Sequence, residues 1–372
     1  MRVLLLSDVN SAHTKRWATS LKQKGIDLAI FSISGASDNW TGDQGIRLLS
    51  RASYNPGIFS TTLLVKSTFL KLVPSLKRAI RQFTPDLIHA HYASSYGLLG
   101  ALTGFHPLVI SVWGSDIYQF PMQSLLGKMI VRFNFSRADT ICSTSVSMIP
   151  EIKRYTRKDI EFVPFGIDLE RFHPSPAESP FEPGTFVIGT VKALEPEYGI
   201  DQLIRVFGVV RNRHPDDRLK LVIVGGGRLM DDLKDLTVSL GIPEDVVFTG
   251  KVPHSEVPAY LNMFDLFVAL SRTESFGVSI LEAAACEKPA VVSDVGGLPE
   301  VVQMGMTGLV VPGHDLDAAV TAVETLMTNR ELATTMGKNG RKRVETHYDW
   351  NVCVASMISV YQQLLPAKSN SD

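Results

Sequence analysis

The sequence predicts an α/β protein made of two Rossmann-like domains facing each other across a cleft. Three observations carry this. At 372 residues the chain is long for a single hydrophobic core, so two domains are the prior. Short apolar runs such as Val3-Leu4-Leu5-Leu6 and Leu266-Phe267-Val268-Ala269-Leu270 read as buried parallel strands, each followed by a loop and a helix. That βα series runs twice, around a Pro/Ser/Glu-rich stretch from Pro174 to Pro183 that reads as a linker. The boundary is placed near Gly166, giving segments 1–166 and 167–347 and a last helix over 348–366.

Composition narrows the classes. A formal net charge of -1 argues against a nucleic-acid-binding surface as the main business. An apolar fraction of 45% is ordinary for a globular protein. The 3 cysteines, Cys142, Cys286 and Cys353, show no CxxC or metal spacing and read as buried free thiols in a reducing compartment. The chain enters a strand at Arg2 without a signal-peptide pattern, and no apolar run approaches the ~20 residues that span a bilayer. A cytoplasmic protein is expected, with the inner face of the membrane as a further location. No internal repeat is seen, and the only low-complexity segment, Ala367 to Asp372, reads as a frayed end.

In chain order, the strand Arg2 to Ser7 leads into the loop Asp8 to His13 and a helix over Thr14 to Lys24. Open α/β sheets bind ligands at the carboxyl ends of their strands. His13 and Arg16 therefore read either as acceptor contacts or as a solvated helix start. Asp27 to Ser32 and Ile46 to Leu49 are the next strands. Thr61 to Phe83 reads as a helix with a break or kink at Pro74, carrying Lys66, Lys71, Lys77, Arg78 and Arg81 among apolar residues. It is either a helix packed on the sheet with a solvated basic face or a peripheral contact with an anionic membrane. Pro85 to His91 is a strand that ends with His91 at the crevice, and His89 lies on the same face. His91 reads as a substrate contact or as a structural histidine. Leu108 to Val112 carries the loop Trp113-Gly114-Ser115-Asp116, and Asp139 to Cys142 is a strand with a helix starting at Ser145.

The second series opens with Phe186 to Val191 and the loop Lys192 to Asp201. Leu219 to Val224 ends in Gly225-Gly226-Gly227, which alone is weak, since any tight strand-to-helix turn favours glycine. A short helix is expected from Pro253-His254 to Leu261. After Leu266 to Leu270 come the loop from Ser271 and a small-residue helix over Ile280 to Glu287. The start of that helix offers free N–H groups and a dipole that favour an anion. Glu274 in the loop and Glu282 a turn into the helix are each placed to reach a ligand hydroxyl. Two such acceptors flanking an anion site suit a nucleoside diphosphate bearing a sugar. Pro289 to Ser293 is a strand, Gly296-Gly297-Leu298-Pro299-Glu300 follows it, and helices run over Asp315 to Met327, Glu331 to Thr346 and Tyr348 to Leu365.

Glu274 to Glu282, with Glu274-Ser275-Phe276-Gly277 before Leu281-Glu282-Ala283 and then Gly-Gly-Leu-Pro-Glu, resembles the E-x7-E motif of retaining glycosyltransferases of the GT-B fold, family 4. The resemblance extends over most of the chain. It implies that the last helix crosses back to the N-terminal domain, with Trp350 as an anchor. Glu274 would accept from the donor sugar's hydroxyls, and backbone groups of Ser275, Phe276, Gly277 and Val278 would face sugar and phosphate. Ser279 would lie beside the phosphate and Glu282 would bind the ribose. Gly225 to Gly227 resembles V-G-x-G, where the nucleotide approaches the backbone; Gly250-Lys251-Val252 resembles the base-edge segment of F-x-G-x-V.

The departures are as informative. The first loop lacks the family's glycines. Trp113 stands where the family commonly has a histidine near the donor sugar; tryptophan can stack on a sugar but cannot do acid–base work, so His91 or Asp116 takes over part of the polar contact or the sugar differs. Phe165 replaces the asparagine of P-N-G-V-D. Ala193 and Tyr198 occupy the places of the Arg and Lys that bind the diphosphate; Lys192 is the candidate replacement and Arg228 a second cation. The expected activity is retaining, metal-independent transfer from a nucleotide sugar, expected to be UDP-linked, to a glycan or lipid-linked acceptor in cell-surface polysaccharide assembly. No cofactor and no metal is expected, since Asp216-Asp217 and Asp231-Asp232 form no D-x-D motif. Two alternatives stay open: a sugar-nucleotide epimerase or sugar-phosphate synthase of the same fold, and a non-catalytic homologue that binds nucleotide or glycan.

Overall fold

The computed structural model describes residues 1–49 and 63–365, the side chains of 63–70 excepted. The chain forms two compact units, Met1–Pro164 with Cys353–Asp372, and Phe165–Val352. The Pro174 to Pro183 stretch lies within the second unit, where the Ser175 N–H donates to Asn262 Oδ1 at 3.0 Å, so it is not a linker.

The first unit holds a 7-stranded sheet in the order β3-β2-β1-β4-β5-β6-β7. Its strands are β1 Arg2–Leu6, β2 Asp27–Phe31, β3 Arg47–Leu48, β4 Leu87–His91, β5 Leu108–Val112, β6 Thr140–Ser143 and β7 Ile160–Phe162, all paired in parallel. Strands covered by helices on both faces need apolar residues on both, which is why Val3 to Leu6 is apolar without alternation and fully buried. The order reverses between β1 and β4, so their carboxyl ends diverge and leave the crevice where such sheets place ligands. Register sets Leu6 beside Ala90 and His91 beside Ser111.

The helix Leu63–Phe83 runs on through Pro74 instead of breaking there. Leu72, Val73, Leu76 and Ala79 pack it on the core and carry it past the lost hydrogen bond. The Lys66 side chain, residues 61–62 and the 367–372 end lie outside the described residues. The helix expected from Ser145 starts at Ile149, because Ser143 Oγ donates to the Ser145 carbonyl and holds that segment as a turn. The last helix, Trp350–Leu364, starts in the second unit and from Cys353 belongs to the first, where Tyr361 is fully buried.

The second unit holds a 6-stranded sheet in the order β10-β9-β8-β11-β12-β13. These are β8 Phe186–Val191, β9 Leu219–Val224, β10 Val246–Gly250, β11 Leu266–Ala269, β12 Ala290–Ser293 and β13 Gly308–Val311. The reversal here falls between β8 and β11, the two strands whose following loops carry Lys192 and Glu274. The small-residue helix is Val278–Ala285, starting earlier than expected. The short helix after β10 is Val257–Met263; His254 sits before it, in a turn closed by the Glu256 N–H on the Pro253 carbonyl.

Candidate functional site

Lys192, the first residue after β8, and Glu274, in the loop after β11, form a close ion pair from Nζ to Oε2. Each side chain is only 11% exposed. The Lys192 ammonium also lies 4.8 Å from the centroid of the Tyr198 ring. Tyr198, at the place of the lysine in the family pattern, thus cradles the Lys192 cation. Burial, and after it the Glu274 charge, raises the Tyr198 hydroxyl pKa, so this ring stays neutral.

Beside this pair starts the helix Val278–Ala285, capped by Gly277 at φ 109. Its first N–H groups have no partner within the helix. Ser279 Oγ, in the first turn, is buried and has no hydrogen-bond partner among the described residues. A hydroxyl so placed at a helix start suits an anion. Phe276 anchors the approaching loop: it is buried, with its ring centroid 6.3 Å from that of Phe165 and 5.9 Å from that of Tyr348. Phe165, which replaces a polar residue of the family pattern, therefore packs against the loop that carries Ser275 and Glu274.

Glu282, on the same helix, is 4% exposed. Its Oε1 lies 2.8 Å from His254 Nε2. Arg171 Nη1 lies 3.2 Å from His254 Nδ1. A guanidinium can only donate, so Nδ1 accepts and Nε2 carries the proton that goes to Glu282. Phe172 steadies the same imidazole, with 5.4 Å between ring centroids. Sequence reading missed His254 by assigning it to a helix; its signal was a polar residue just after Gly250-Lys251-Val252.

The loops after β8, β9, β10, β11 and β12 interlock at this end of the sheet. The Gly225 N–H donates to the Gly250 carbonyl at 3.0 Å, and Leu194 N–H to the Gly226 carbonyl at 3.2 Å. Gly225 has φ 147, and a Cβ there would lie 1.8 Å from the Lys192 carbonyl oxygen. The neighbouring protein loop thus by itself requires glycine at this position. Gly227 likewise meets Leu194 backbone, and Gly226 faces Lys251. On the other side Gly296, at φ 51, would place a Cβ 1.7 Å from the Glu274 carbonyl oxygen, which accepts from the Gly297 N–H. Arg272 grips Asp201 at 2.8 and 2.6 Å and donates to the Pro196 carbonyl. Arg228 is exposed and paired with Glu195 at 2.8 Å. Lys251 is exposed and Val252 half-buried.

The first unit corrects several expectations. Asp116 is buried, and its carboxylate accepts from the N–H groups of Ala93, Trp113 and Gly114 at 2.6, 3.1 and 2.8 Å. It organises the loop backbone through these contacts. Burial raises its pKa, against the pull of those donors. His91 is buried rather than open at the crevice, with Nδ1 2.8 Å from Ser7 Oγ and its ring 4.4 Å from that of Trp113. His89 pairs with Tyr361 Oη and Ser111 Oγ, each at 2.7 Å. Burial pushes His89 down to about 3 and His91 well below the usual histidine range, so both are neutral. Trp113 is buried among His91, His13 and Tyr92. His13 is exposed beside it and Arg16 half-buried. In the basic helix, Leu76, Ala79 and Phe83 face the core while Lys71, Lys77, Arg78 and Arg81 face solvent. Over residues 71–83 its apolar side is therefore packed on the core.

Comparison with known proteins follows the same division. Residues 2–145 match a family model described as Glycosyl transferase 4-like, and residues 173–343 one described as Glycosyl transferases group 1. A GDP-mannose-dependent alpha-(1-6)-phosphatidylinositol monomannoside mannosyltransferase of Mycolicibacterium smegmatis is 31% identical over 327 residues, 81% of this chain and 82% of that protein. Sucrose-phosphate synthase from Thermosynechococcus elongatus superposes with a TM-score of 0.80 at 21% identity, covering 98% of this chain and 99% of that one. Anabaena HepE, solved with UDP and glucose, superposes with a TM-score of 0.78 at 17% identity, covering 98% and 100%. These likenesses show the GT-B fold.

Proposed function

The chain belongs to the group 1 glycosyltransferases of the family 4 type, and on that premise we propose that it moves a hexosyl group from a nucleotide sugar to a hydroxyl of a glycan or lipid-linked acceptor, with retention and without a metal. The observation that carries this reading is the largely buried Lys192–Glu274 pair beside a helix start with a Ser279 hydroxyl unpartnered among the described residues. In this reading Glu282, held by His254, binds the ribose, and Glu274 accepts from the sugar hydroxyls. As the anomeric C–O bond loosens, negative charge grows on the departing diphosphate. Lys192 and the N–H groups from Gly277 to Ser279 stabilise that charge. The acceptor attacks from the same face and its proton passes to the leaving phosphate oxygen, so no separate base is needed.

For the base, the relative at 31% identity is named for GDP-mannose, whereas HepE, the structural neighbour solved with UDP, is 17% identical. Sequence kinship over most of the chain outweighs likeness of fold, and we place GDP-mannose ahead of the UDP-sugar that the motif alone suggests. A lipid-linked acceptor fits the same relative's name.

The first test is the melting temperature with GDP, UDP, ADP and TDP. A ligand at a hundred times its dissociation constant adds ~2.7 kcal/mol, a shift of several degrees. A shift with GDP alone supports the reading, and one with UDP alone moves the donor to the second choice. Acceptor-dependent release of the nucleotide then shows transfer. Conversion of the donor with no acceptor would point to an epimerase, transfer to a sugar phosphate to a synthase, and no turnover with any acceptor to a binding homologue, the reading that Ala193 and Tyr198 favour.

A further inference from the structure

Near the start of the second unit, Gly166-Ile167-Asp168 runs into a closed turn that ends at Phe172. Asp168 makes the turn. Its Oδ1 accepts from the N–H groups of Glu170 and Arg171 at 3.2 and 3.1 Å, and its carbonyl accepts from the Phe172 N–H at 2.8 Å. A short carboxylate bonded to the backbone two and three residues on gives the side chains that follow fixed directions. Two of them meet one imidazole. The Phe172 ring is fully buried with its centroid 5.4 Å from that of His254, and Arg171 Nη1 donates to His254 Nδ1 at 3.2 Å. Arg341 ties the turn to the helix that carries Glu282. Its Nη1 donates to the carbonyls of Phe172 and of Ala285, the last residue of that helix, at 2.7 and 2.9 Å.

These contacts converge on Glu282. Its Oε1 takes the His254 Nε2–H at 2.8 Å. Only a ring whose Nδ1 is bare can accept from Arg171 while Nε2 donates to Glu282. A proton on Nδ1 would set one N–H against another. Arg171 therefore holds His254 as a neutral single donor, and Glu282 keeps its charge instead of sharing it with an imidazolium. The engaged oxygen fixes the carboxylate plane. The other, Oε2, takes no hydrogen bond among the described residues and is left for a ligand hydroxyl. A charge-assisted hydrogen bond to that hydroxyl needs both the charge and the direction. We propose that Arg171 is a positioning residue for the nucleotide, acting through His254 on the orientation and charge of Glu282. This rests on the reading of Glu282 as the ribose contact, and it gives the Asp168 turn a part in binding.

The test is calorimetric titration of the full chain with GDP, and with UDP beside it, together with the nitrogen NMR spectrum of the His254 ring. The wild-type ring should carry a proton on Nε2 and none on Nδ1. Arg171→Met should weaken binding of the preferred nucleotide by about fivefold and move the Nδ1 signal towards that of a protonated nitrogen. Arg171→Lys keeps a cationic donor and should recover most of that loss. In a His254→Ala background Arg171→Met should change nothing further, because its path runs through the imidazole. Arg171 is exposed, so the melting point of Arg171→Met should stay at the wild-type value; if it falls, the lysine variant and the His254→Ala background decide. Wild-type affinity in Arg171→Met, an equal loss in the His254→Ala background, or a proton on Nδ1 of the wild-type ring overturns the proposal. The ribose reading survives those results as long as Glu282→Ala binds more weakly than wild type. If Glu282→Ala binds as wild type does, or neither nucleotide binds, the ribose reading fails and takes the proposal with it.

Discussion

Replacing Lys192 by methionine keeps the length of the side chain and removes its charge. Glu274 then loses its cation while remaining 11% exposed. Breaking a fully buried ion pair by removing one partner costs about 3–5 kcal/mol, and the remaining exposure places this one near the lower end, about 3 kcal/mol. For a unit of this size that lowers the melting point by roughly 6–12 °C. Adding Glu274→Gln removes the stranded charge and should restore most of that loss, which scanning calorimetry of the two variants reads directly. Turnover separates the catalytic role from the structural one. A preorganised group facing charge that develops on the leaving phosphate is worth about 3 kcal/mol, so kcat in Lys192→Met should fall roughly 10²–10³-fold at saturating donor, measured as acceptor-dependent nucleotide release. A variant that turns over at the wild-type rate would remove Lys192 from the reaction. A double variant no more stable than Lys192→Met would mean that the pair does not hold the loop.

Glu282→Ala should weaken binding of the preferred nucleotide by about 1–3 kcal/mol in calorimetric titration, as for a lost charge-assisted hydrogen bond. His254→Ala should weaken it by about 1 kcal/mol, because Glu282 loses the donor that orients it. Asp116→Ala leaves the Ala93, Trp113 and Gly114 N–H groups without their acceptor and should cost about 3 kcal/mol in urea denaturation of the first unit. His89 and His91 bind protons in the unfolded chain below about pH 6.5 but not when folded, where burial holds His89 at about 3. Stability should therefore fall as pH drops below about 6.5, by about 2 kcal/mol per histidine at pH 5, with a flatter profile in His89→Gln/His91→Gln.

Much of the fold was legible because helix-covered parallel strands must be apolar on both faces, a pattern that stands out at Val3 to Leu6 and at Leu266 to Ala269. Glu274 and Glu282 were legible because their spacing is local, within one loop and the helix it enters. The Lys192 substitution could be read from sequence as a vacancy with a neighbouring cation, but the Tyr198 ring beneath that cation could not. His254 was hidden for a different reason. Its partner is 28 positions away, and the contact depends on a turn where the pattern suggested a helix. Asp116 looked like a free polar group at a crevice because its contact with the Ala93 N–H exists only once β4 and β5 lie side by side. The glycines at 225 and 296 were readable as glycines, though not the side from which the crowding comes.

That crowding bears on how such a site can be altered. Gly225 closes on the carbonyl of Lys192, and Gly296 on that of Glu274, while Arg272 ties the Glu274 loop to Asp201. Segments distant in the chain were therefore fitted to one another's main chain, and none behaves as an exchangeable cassette. Transplanting the Ser271 to Gly277 segment from a relative with another donor would bring in side chains while leaving the receiving backbone shaped for the original partner. Donor preference in this protein should yield to chimaeras that carry the segments after β8, β9, β11 and β12 together, and resist those that carry one.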